Sequence, residues 1–124
     1  MENRKRVYIS GKITGNEHAK IQFEEAYYIL EKRGFNPMSP YHCGQCMYAD
    51  MKHEEYMQVD FLLLAMAEYI CILPNFLDSK GAKAEYEYAV RKNKGIIDAA
   101  SGYRVILEPG WRGDLKEVLN ETEI

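Results

Sequence analysis

The sequence reads DSKGAKAEYEYA from Asp78 to Ala89, shortly after the apolar run YICILP of residues 69–74. This order predicts a strand buried on both faces, a turn of small residues and the start of a helix. Backbone N–H groups at such a turn, together with the positive end of the helix, can receive an anion. The segment therefore predicts one strand–turn–helix unit with a place for a negatively charged ligand.

Glu85 is the unusual residue of this helix, because residues three and four apart share one helix face. Its neighbours at that spacing are all small or apolar: Gly81, Ala82, Tyr88 and Ala89. Glu87 has basic neighbours at the same spacing and belongs on a solvated face. We expect Glu85 to point into the protein, either as a helix-start glutamate bonded to nearby backbone or as a functional carboxylate.

The composition is that of one globular domain, expected to span residues 1–124. The chain is 47% hydrophobic and 28% charged, with a net charge of −3, and this mild acidity argues against a nucleic-acid partner. No apolar stretch reaches the roughly 20 residues that cross a membrane, and no signal-type segment follows the N-terminus. Three cysteines suit a reducing compartment. We therefore expect a cytoplasmic protein with no membrane partner.

A strand and a glycine-containing loop open the chain. The strand is predicted over residues 6–10, RVYIS, and the loop GKITGN follows it. The next helix is expected over residues 17–33, with Asn16 as N-cap and Gly34 as C-terminal stop. A strand, a glycine loop and a helix in this order commonly bind phosphate in α/β proteins, although many such loops bind nothing.

The middle of the chain predicts a second strand and a long loop. Residues 35–40 read FNPMSP, and their prolines favour the edge of a sheet. The loop of residues 41–51 contains HCGQC, whose paired cysteines suggest zinc or redox chemistry. A structural zinc site usually needs four ligands, and the remaining candidates are Cys71, His18 and His53. We therefore expect no metal.

The helix predicted over residues 52–67 carries an aspartate on its apolar face. Asp60 lies one turn from Tyr56 and from Leu63. An unpaired buried carboxylate is costly, so Asp60 needs a partner. It is either hydrogen-bonded to the backbone or a tyrosine hydroxyl, or it is a second carboxylate in the cleft of Glu85.

The order of elements predicts an α/β fold with a mainly parallel sheet of four or five strands and helices on both faces. Further strands are expected at residues 96–97 and 103–107, and a last helix at 114–120. Ligands of such folds lie beyond the carboxyl ends of the strands. The loop after residue 10 and the turn at residues 79–82 should therefore meet at one site.

Three separated motifs carry a family resemblance over about residues 6–90. They are VYISGKITG at residues 7–15, Asp60 placed 25 residues before a glutamate, and Ser79-x-Gly81-Ala82-x-x-Glu85-x-x-x-Ala89. Together they resemble the nucleoside 2-deoxyribosyltransferase family, and most of all its small, often phage-associated branch. The resemblance implies a flavodoxin-like or Rossmann-like three-layer sandwich that needs no cofactor. It also implies a homodimer or higher homo-oligomer whose subunits complete each other's sites.

The resemblance implies roles for individual residues. Glu85 matches a nucleophile that attacks the anomeric carbon of a nucleoside, releasing the base and leaving a glycosyl-enzyme. Tyr8 matches a tyrosine that orients the nucleophile, and Asp60 an aspartate that contacts the sugar or helps protonate the leaving base. The residues expected to bind substrate are Ser10, Gly11, Ile13, Gly15, Ser79, Gly81 and Ala82.

Ser79 separates two kinds of substrate. Family members that act on free nucleosides tend to have an aspartate at this position, six residues before the nucleophile, whereas the nucleotide N-hydrolase branch is similar to this chain in having serine. A hydroxyl beside backbone N–H groups suits a 5′-phosphate, which an aspartate would repel. We expect hydrolysis of the N-glycosidic bond of a (deoxy)nucleoside 5′-monophosphate. The alternatives are a non-catalytic nucleotide-binding protein and a nucleoside deoxyribosyltransferase.

Overall fold

A computed structural model describes residues 4–107 and 118–120 of the chain. In chain order the elements are β1 (Arg6–Ser10), α1 (Ala19–Lys32), β2 (Asn36–Met38), α2 (Pro40–Gly44), α3 (His53–Ala65), β3 (Tyr69–Ile72), a 3₁₀ turn (Phe76–Asp78), α4 (Lys80–Arg91), β4 (Gly95–Asp98), β5 (Arg104–Leu107) and β6 (Val118–Asn120).

The strands form one sheet in the order β2-β1-β3-β4-β5-β6. The first four strands of this order run parallel, while β5 and β6 are antiparallel to their neighbours. The order of β1 to β5 is that of flavodoxin-like proteins, so the predicted fold class is confirmed. In the described part of the chain, β6 extends the sheet to six strands.

The two faces of the sheet carry separate cores, because side chains alternate along a strand. Val7 and Ile9 pack with Phe23 of α1 on one face. Tyr8 packs with Leu64 of α3 and with residues of α4 on the other face. The fold is therefore the predicted three-layer sandwich, with the central strands buried on both sides.

The first helix begins later than predicted. α1 starts at Ala19 with His18 at the N-cap position, and the His18 side chain makes no capping hydrogen bond. Asn16 is therefore not the N-cap. Its Oδ1 instead accepts the backbone N–H of His18 at 3.1 Å, which closes a local turn before the helix. Gly34 lies just beyond the helix with φ of 90°, as a C-terminal stop should.

A short helix occupies part of the predicted loop of residues 41–51. Ser39 caps α2, since its Oγ accepts the backbone N–H of His42 at 3.4 Å, and Pro40 is the first helical residue. Proline suits this position because its missing N–H would have had no partner there. The Ser-Pro pair thus begins a helix, and the edge strand β2 ends earlier, at Met38.

The predicted last helix is wrong where the structure describes it. Val118–Asn120 is strand β6, which pairs antiparallel with β5. A short apolar segment fits a helix or a strand equally well, and the open edge of β5 supplies the partner that decides for the strand. Residues 114–117 of the same prediction lie outside the described residues.

α3 is less buried than its predicted apolar stripe suggests. Leu64 is fully buried, whereas Tyr56 and Leu63 are only half-buried. On its outer side Leu62 is 67% exposed, and Met66, just after the helix, is 54% exposed. None of the described helices combines the length and apolar character needed to cross a membrane.

Candidate functional site

Two hydroxyl groups of β1 hold the side chain of Glu85. The Tyr8 hydroxyl donates to Glu85 Oε2 at 2.6 Å, and the Ser10 hydroxyl donates to Oε1 at 2.7 Å. Tyr8 and Ser10 are two residues apart in β1, so both side chains lie on the same face of the sheet. Glu85 is only 5% exposed. It points into the protein as predicted, and side-chain hydroxyls rather than nearby backbone groups are its partners.

The start of α4 positions Glu85. Ser79 has an extended backbone, and its Oγ accepts the N–H of Ala82 at 3.1 Å, which makes Ser79 the N-cap. Glu85 then falls in the second turn, on the same face as the buried Ala82 and Ala89. Glu85 therefore lies on the buried face of α4, and its carboxylate reaches β1.

A cavity of about 250 Å³ lies above Glu85, slightly smaller than the roughly 300–1,000 Å³ of most small-molecule sites. All three predicted catalytic residues line it: Glu85, Asp60 and Tyr8. So do most of the predicted substrate-binding residues: Gly11, Ile13, Ser79, Gly81 and Ala82. The structure thus brings the loop after β1, the start of α4 and both carboxylates to one place. The predicted turn of residues 79–82 is instead the N-cap and first turn of α4, because Ser79 caps the helix and Gly81 and Ala82 are already helical.

Two predicted substrate-binding residues do not line the cavity. Ser10 is completely buried beneath it and reaches the site only through its hydrogen bond to Glu85. Gly15 is exposed and has φ of 73°, a backbone conformation that glycine adopts readily. Its place is the turn of the loop rather than the cavity wall.

Sequence reasoning missed one wall of the cavity. That wall comes from α2 and from the first two turns of α3, and Thr14 adds to the loop side. The missed lining residues are Thr14, Pro40, Tyr41, Gly44, Gln45, His53, Tyr56 and Met57. The Ser-Pro pair that begins α2 was the one local signal for this wall.

Burial dominates the electrostatics of Glu85. It raises the Glu85 pKa to about 7, although the hydrogen bonds from Tyr8 and Ser10 lower the pKa and the nearby Asp60 raises it further. Glu85 therefore divides between its protonated and ionised forms near neutral pH. Burial, followed by the Glu85 charge, raises the pKa of Tyr8 well above its usual value, so Tyr8 stays protonated and remains a donor.

Asp60 is a second carboxyl group with an altered pKa. Burial raises its pKa to about 6, against the opposing influence of His53. Neither of the partners proposed from the sequence, a backbone group or a tyrosine hydroxyl, bonds its carboxyl among the described residues. Asp60 is therefore a half-buried acid that lines the cavity, and its carboxyl group remains available to hydrogen-bond a ligand.

The HCGQC segment, residues 42–46, contributes to the cavity rather than to a cluster of metal ligands. Cys43 and Cys46 are free thiols. The His42 ring contacts Ser39 Oγ at 2.7 Å and Glu24 at 3.3 Å. Within the described ranges, no group of three or more His, Cys, Asp or Glu side chains could hold a metal ion. The segment instead supplies Gly44 and Gln45 to the cavity wall.

Backbone N–H groups without hydrogen-bond partners in a strand or helix occur at two places in the site, the loop after β1 and the start of α4. Ile13 and Thr14 line the cavity, and their N–H groups have no backbone partner within residues 4–107. The first N–H groups of a helix likewise lack partners inside it, and α4 begins at the cavity. The Ser79 side chain accepts only one of these N–H groups, that of Ala82. The remaining donors suit an anion.

The comparison with protein families gives one match. The family described as "Domain of unknown function (DUF4406)" matches residues 5–98, which include β1 with its loop, Asp60 and α4. No curated protein is similar enough in sequence to match the chain.

Proposed function

The chain belongs to the family described as Domain of unknown function (DUF4406), and we propose that its site hydrolyses the N-glycosidic bond of a (deoxy)nucleoside 5′-monophosphate. One observation carries the proposal. The buried Glu85 has each carboxylate oxygen held by a hydroxyl, from Tyr8 and Ser10, at the floor of a cavity that it shares with Asp60. Such a carboxylate is oriented as a nucleophile requires.

In the first step, a Glu85 oxygen attacks the anomeric carbon of the sugar. The bond from that carbon to the base nitrogen breaks, and its electron pair goes to the base. The transition state resembles an oxocarbenium ion, which an adjacent carboxylate stabilises. Asp60, with a pKa of about 6, retains a protonated fraction near neutral pH and supplies the proton that the leaving base takes up. The products are a free base and a glycosyl ester of Glu85.

In the second step, water attacks the same anomeric carbon. The ester bond to Glu85 breaks, and its electron pair returns to the carboxylate. Asp60 is ionised after the first step and accepts the proton of the attacking water. Both carboxyl groups thereby regain their starting states. Tyr8 and Ser10 remain donors to Glu85 throughout, which orients the carboxylate and stabilises it as the leaving group.

The loop after β1 and the start of α4 support a phosphate group on the substrate. Ile13 and Thr14 offer backbone N–H groups on one side, and the positive end of α4 lies on the other. The Ser79 hydroxyl accepts a bond from Ala82 and keeps its own hydrogen for a phosphate oxygen. A 5′-phosphate bound there would hold the sugar close to Glu85.

The wall from α2 and α3 supports a nucleobase as the leaving group. Tyr41, Tyr56 and Gln45 line the cavity, and the Gln45 carboxamide is a group that can both donate and accept. Aromatic rings favour flat apolar ligands, while a carboxamide suits the mixed donors and acceptors of a base edge. These groups lie in the same cavity as the residues assigned to the phosphate and the sugar.

Base release tests the proposal directly. A panel of nucleoside monophosphates is incubated with the wild type, with Glu85→Gln and with Glu87→Gln, and free base is measured by chromatography. Glu87 is exposed on the same helix, so Glu87→Gln is a matched control. We expect release by the wild type and by the control, and a loss of at least about a thousandfold in Glu85→Gln. No release by the wild type, or equal release by Glu85→Gln, would contradict the proposal.

Two further measurements separate the alternatives. Exchange that occurs only when a second base is supplied would indicate a deoxyribosyltransferase. Thermal stabilisation that grows with nucleotide concentration, without any release of base, would indicate a non-catalytic nucleotide-binding protein.

The proposal includes a homo-oligomer in the cytoplasm. Leu62 and Met66 lie one turn apart and are both more than half exposed, which suits a contact with a second copy of the chain. Three free cysteines suit the reducing conditions of the cytoplasm. Light scattering of the purified protein, compared with Leu62→Lys, measures the oligomeric state.

A further inference from the structure

Two side-chain amides hold the backbone of Lys12 in the loop after β1, and a third amide joins them to each other. Asn16 Nδ2 donates to the Lys12 carbonyl at 2.9 Å, and Asn75 Oδ1 accepts the Lys12 N–H at 3.4 Å. Gln22 Oε1 joins the other two amides, since it accepts from Asn16 Nδ2 at 2.8 Å and from Asn75 Nδ2 at 3.2 Å. We name Asn16, Gln22 and Asn75 the amide ring.

The amide ring connects three separate parts of the chain. Asn16 belongs to the loop itself, Gln22 to the first turn of α1, and Asn75 to the segment after β3. All three residues are half-buried, so their hydrogen bonds compete less with water than those of exposed side chains. The ring therefore fixes the loop to both a helix and the central part of the sheet.

Contacts outside the ring fix the ends of the loop. Gly11 packs closely against Leu73, since a Cβ added at Gly11 would lie 2.8 Å from the Leu73 Cβ. At the other end the Asn16 N–H donates to the Ile13 carbonyl at 3.1 Å. Lys12 lies between these two points, and its chain neighbours Gly11 and Ile13 line the cavity.

We propose that Asn16, Gln22 and Asn75 are positioning residues that hold the loop in the shape in which the N–H groups of Ile13 and Thr14 receive the substrate phosphate. This inference rests on the proposed function. The N–H of Lys12 donates to Asn75, whereas those of Ile13 and Thr14 have no backbone acceptor within residues 4–107 and are left for the ligand. Without the ring, the loop would have to be ordered when the ligand binds, and that ordering lowers affinity.

The first test measures the loop without any ligand. Gln22→Met removes the shared acceptor at similar side-chain size, and Gln58→Met makes the same change at an exposed position of α3. Amide hydrogen exchange, followed residue by residue by NMR, should become at least about tenfold faster at Lys12 and Asn16 in Gln22→Met, and stay unchanged in Gln58→Met. Gln22→Glu keeps both accepted bonds and should exchange like the wild type.

The second test measures affinity in a Glu85→Gln background, which prevents turnover. Calorimetry compares the common 2′-deoxynucleoside 5′-monophosphates with the matching nucleosides, which lack the phosphate. Gln22→Met should weaken monophosphate binding by about tenfold, or about 1.4 kcal/mol, and nucleoside binding by less than about twofold. Gln58→Met should change neither affinity.

Each result decides the inference. Faster exchange together with a loss confined to the monophosphates supports it. Unchanged exchange in Gln22→Met overturns it, and so does an unchanged affinity for monophosphates or an equal loss of affinity for monophosphates and nucleosides. If the Glu85→Gln parent binds neither class of ligand, the proposed function and this inference both fall. That outcome is recognisable because it appears in the parent before any change to the ring.

Discussion

Tyr8 and Glu85 are 77 residues apart in the chain, and their side chains share a hydrogen bond of 2.6 Å beneath the cavity. The bond links the central strand β1 to α4 and leaves the carboxylate facing the cavity. The bond is the contact that the proposed orienting role of Tyr8 requires. Since Tyr8 stays protonated, it donates to the ionised form of Glu85 and favours that form over the protonated one.

Tyr8→Phe should therefore weaken activity by raising the pKa of Glu85. The variant removes one of the two donors that lower this pKa, so less of Glu85 is ionised near neutral pH. We expect base release near neutral pH to fall by about ten- to a hundredfold and the maximum of the pH–rate profile to move to higher pH. Tyr28→Phe, on the exposed surface of α1, is the control. An unshifted profile in Tyr8→Phe would argue against an orienting role.

The wild-type pH–rate profile should be bell-shaped, with a maximum near about pH 6.5. Glu85, with a pKa of about 7, must be ionised to attack, and Asp60, with a pKa of about 6, must be protonated to help the base leave. The two limbs belong to the interacting pair rather than to either residue alone. Asp60→Asn should abolish the alkaline limb and leave slow release above neutral pH. Measurement of kcat/KM between pH 5 and 8.5 checks this, and a flat profile would exclude the assignment.

Glu85 should make the protein less stable as the pH rises from about 4.5 to above 7. Its folded pKa of about 7 exceeds the usual value of 4.5, so the folded state binds more protons than the unfolded state in this range. The contribution of protonated Glu85 is fully present below the unfolded pKa and is lost as the pH passes the folded pKa. The loss approaches roughly 3 kcal/mol at pH 8.

Glu85→Gln, which cannot ionise, should then be more stable than the wild type at pH 8, with a smaller difference at pH 5. Urea denaturation at both pH values measures the free energy of unfolding. Glu87→Gln controls for the loss of one exposed charge on the same helix. If the wild type and Glu85→Gln showed the same pH dependence of stability, the result would show that folding does not raise the pKa of Glu85.

Ser79→Asp should separate the role of Ser79 as helix cap from its proposed contact with phosphate. Aspartate caps helices about as well as serine, so α4 and the melting temperature should be little changed. Its negative charge would repel the 5′-phosphate, and kcat/KM for monophosphates should fall by about a hundredfold or more. Activity on free nucleosides should persist or rise. Ser79→Asn, a neutral capping residue of the same size as aspartate, is the control. Equal effects of both variants would remove the argument for phosphate.

Local patterns accounted for much of the fold. The bounds of β1, the face of α4 that carries Glu85 and the edge position of β2 all follow from side chains within a few residues of one another. Local patterns were insufficient where the same residues suit two structures. The Ser39-Pro40 pair fits a strand end or a helix start, and Val118–Asn120 fits a helix or a strand.

The sequence by itself determined the α/β class, the strand–turn–helix unit around Ser79 and the inward face of Glu85, because helix and strand periodicities depend on neighbours three, four or two positions away. Only the tertiary structure decided which groups meet Glu85 and the loop. The hydroxyls of Tyr8 and Ser10, the wall from α2, and the link between Gln22 and Asn75 all join residues distant in the chain. Such contacts depend on how the elements pack, and no local pattern specifies that packing.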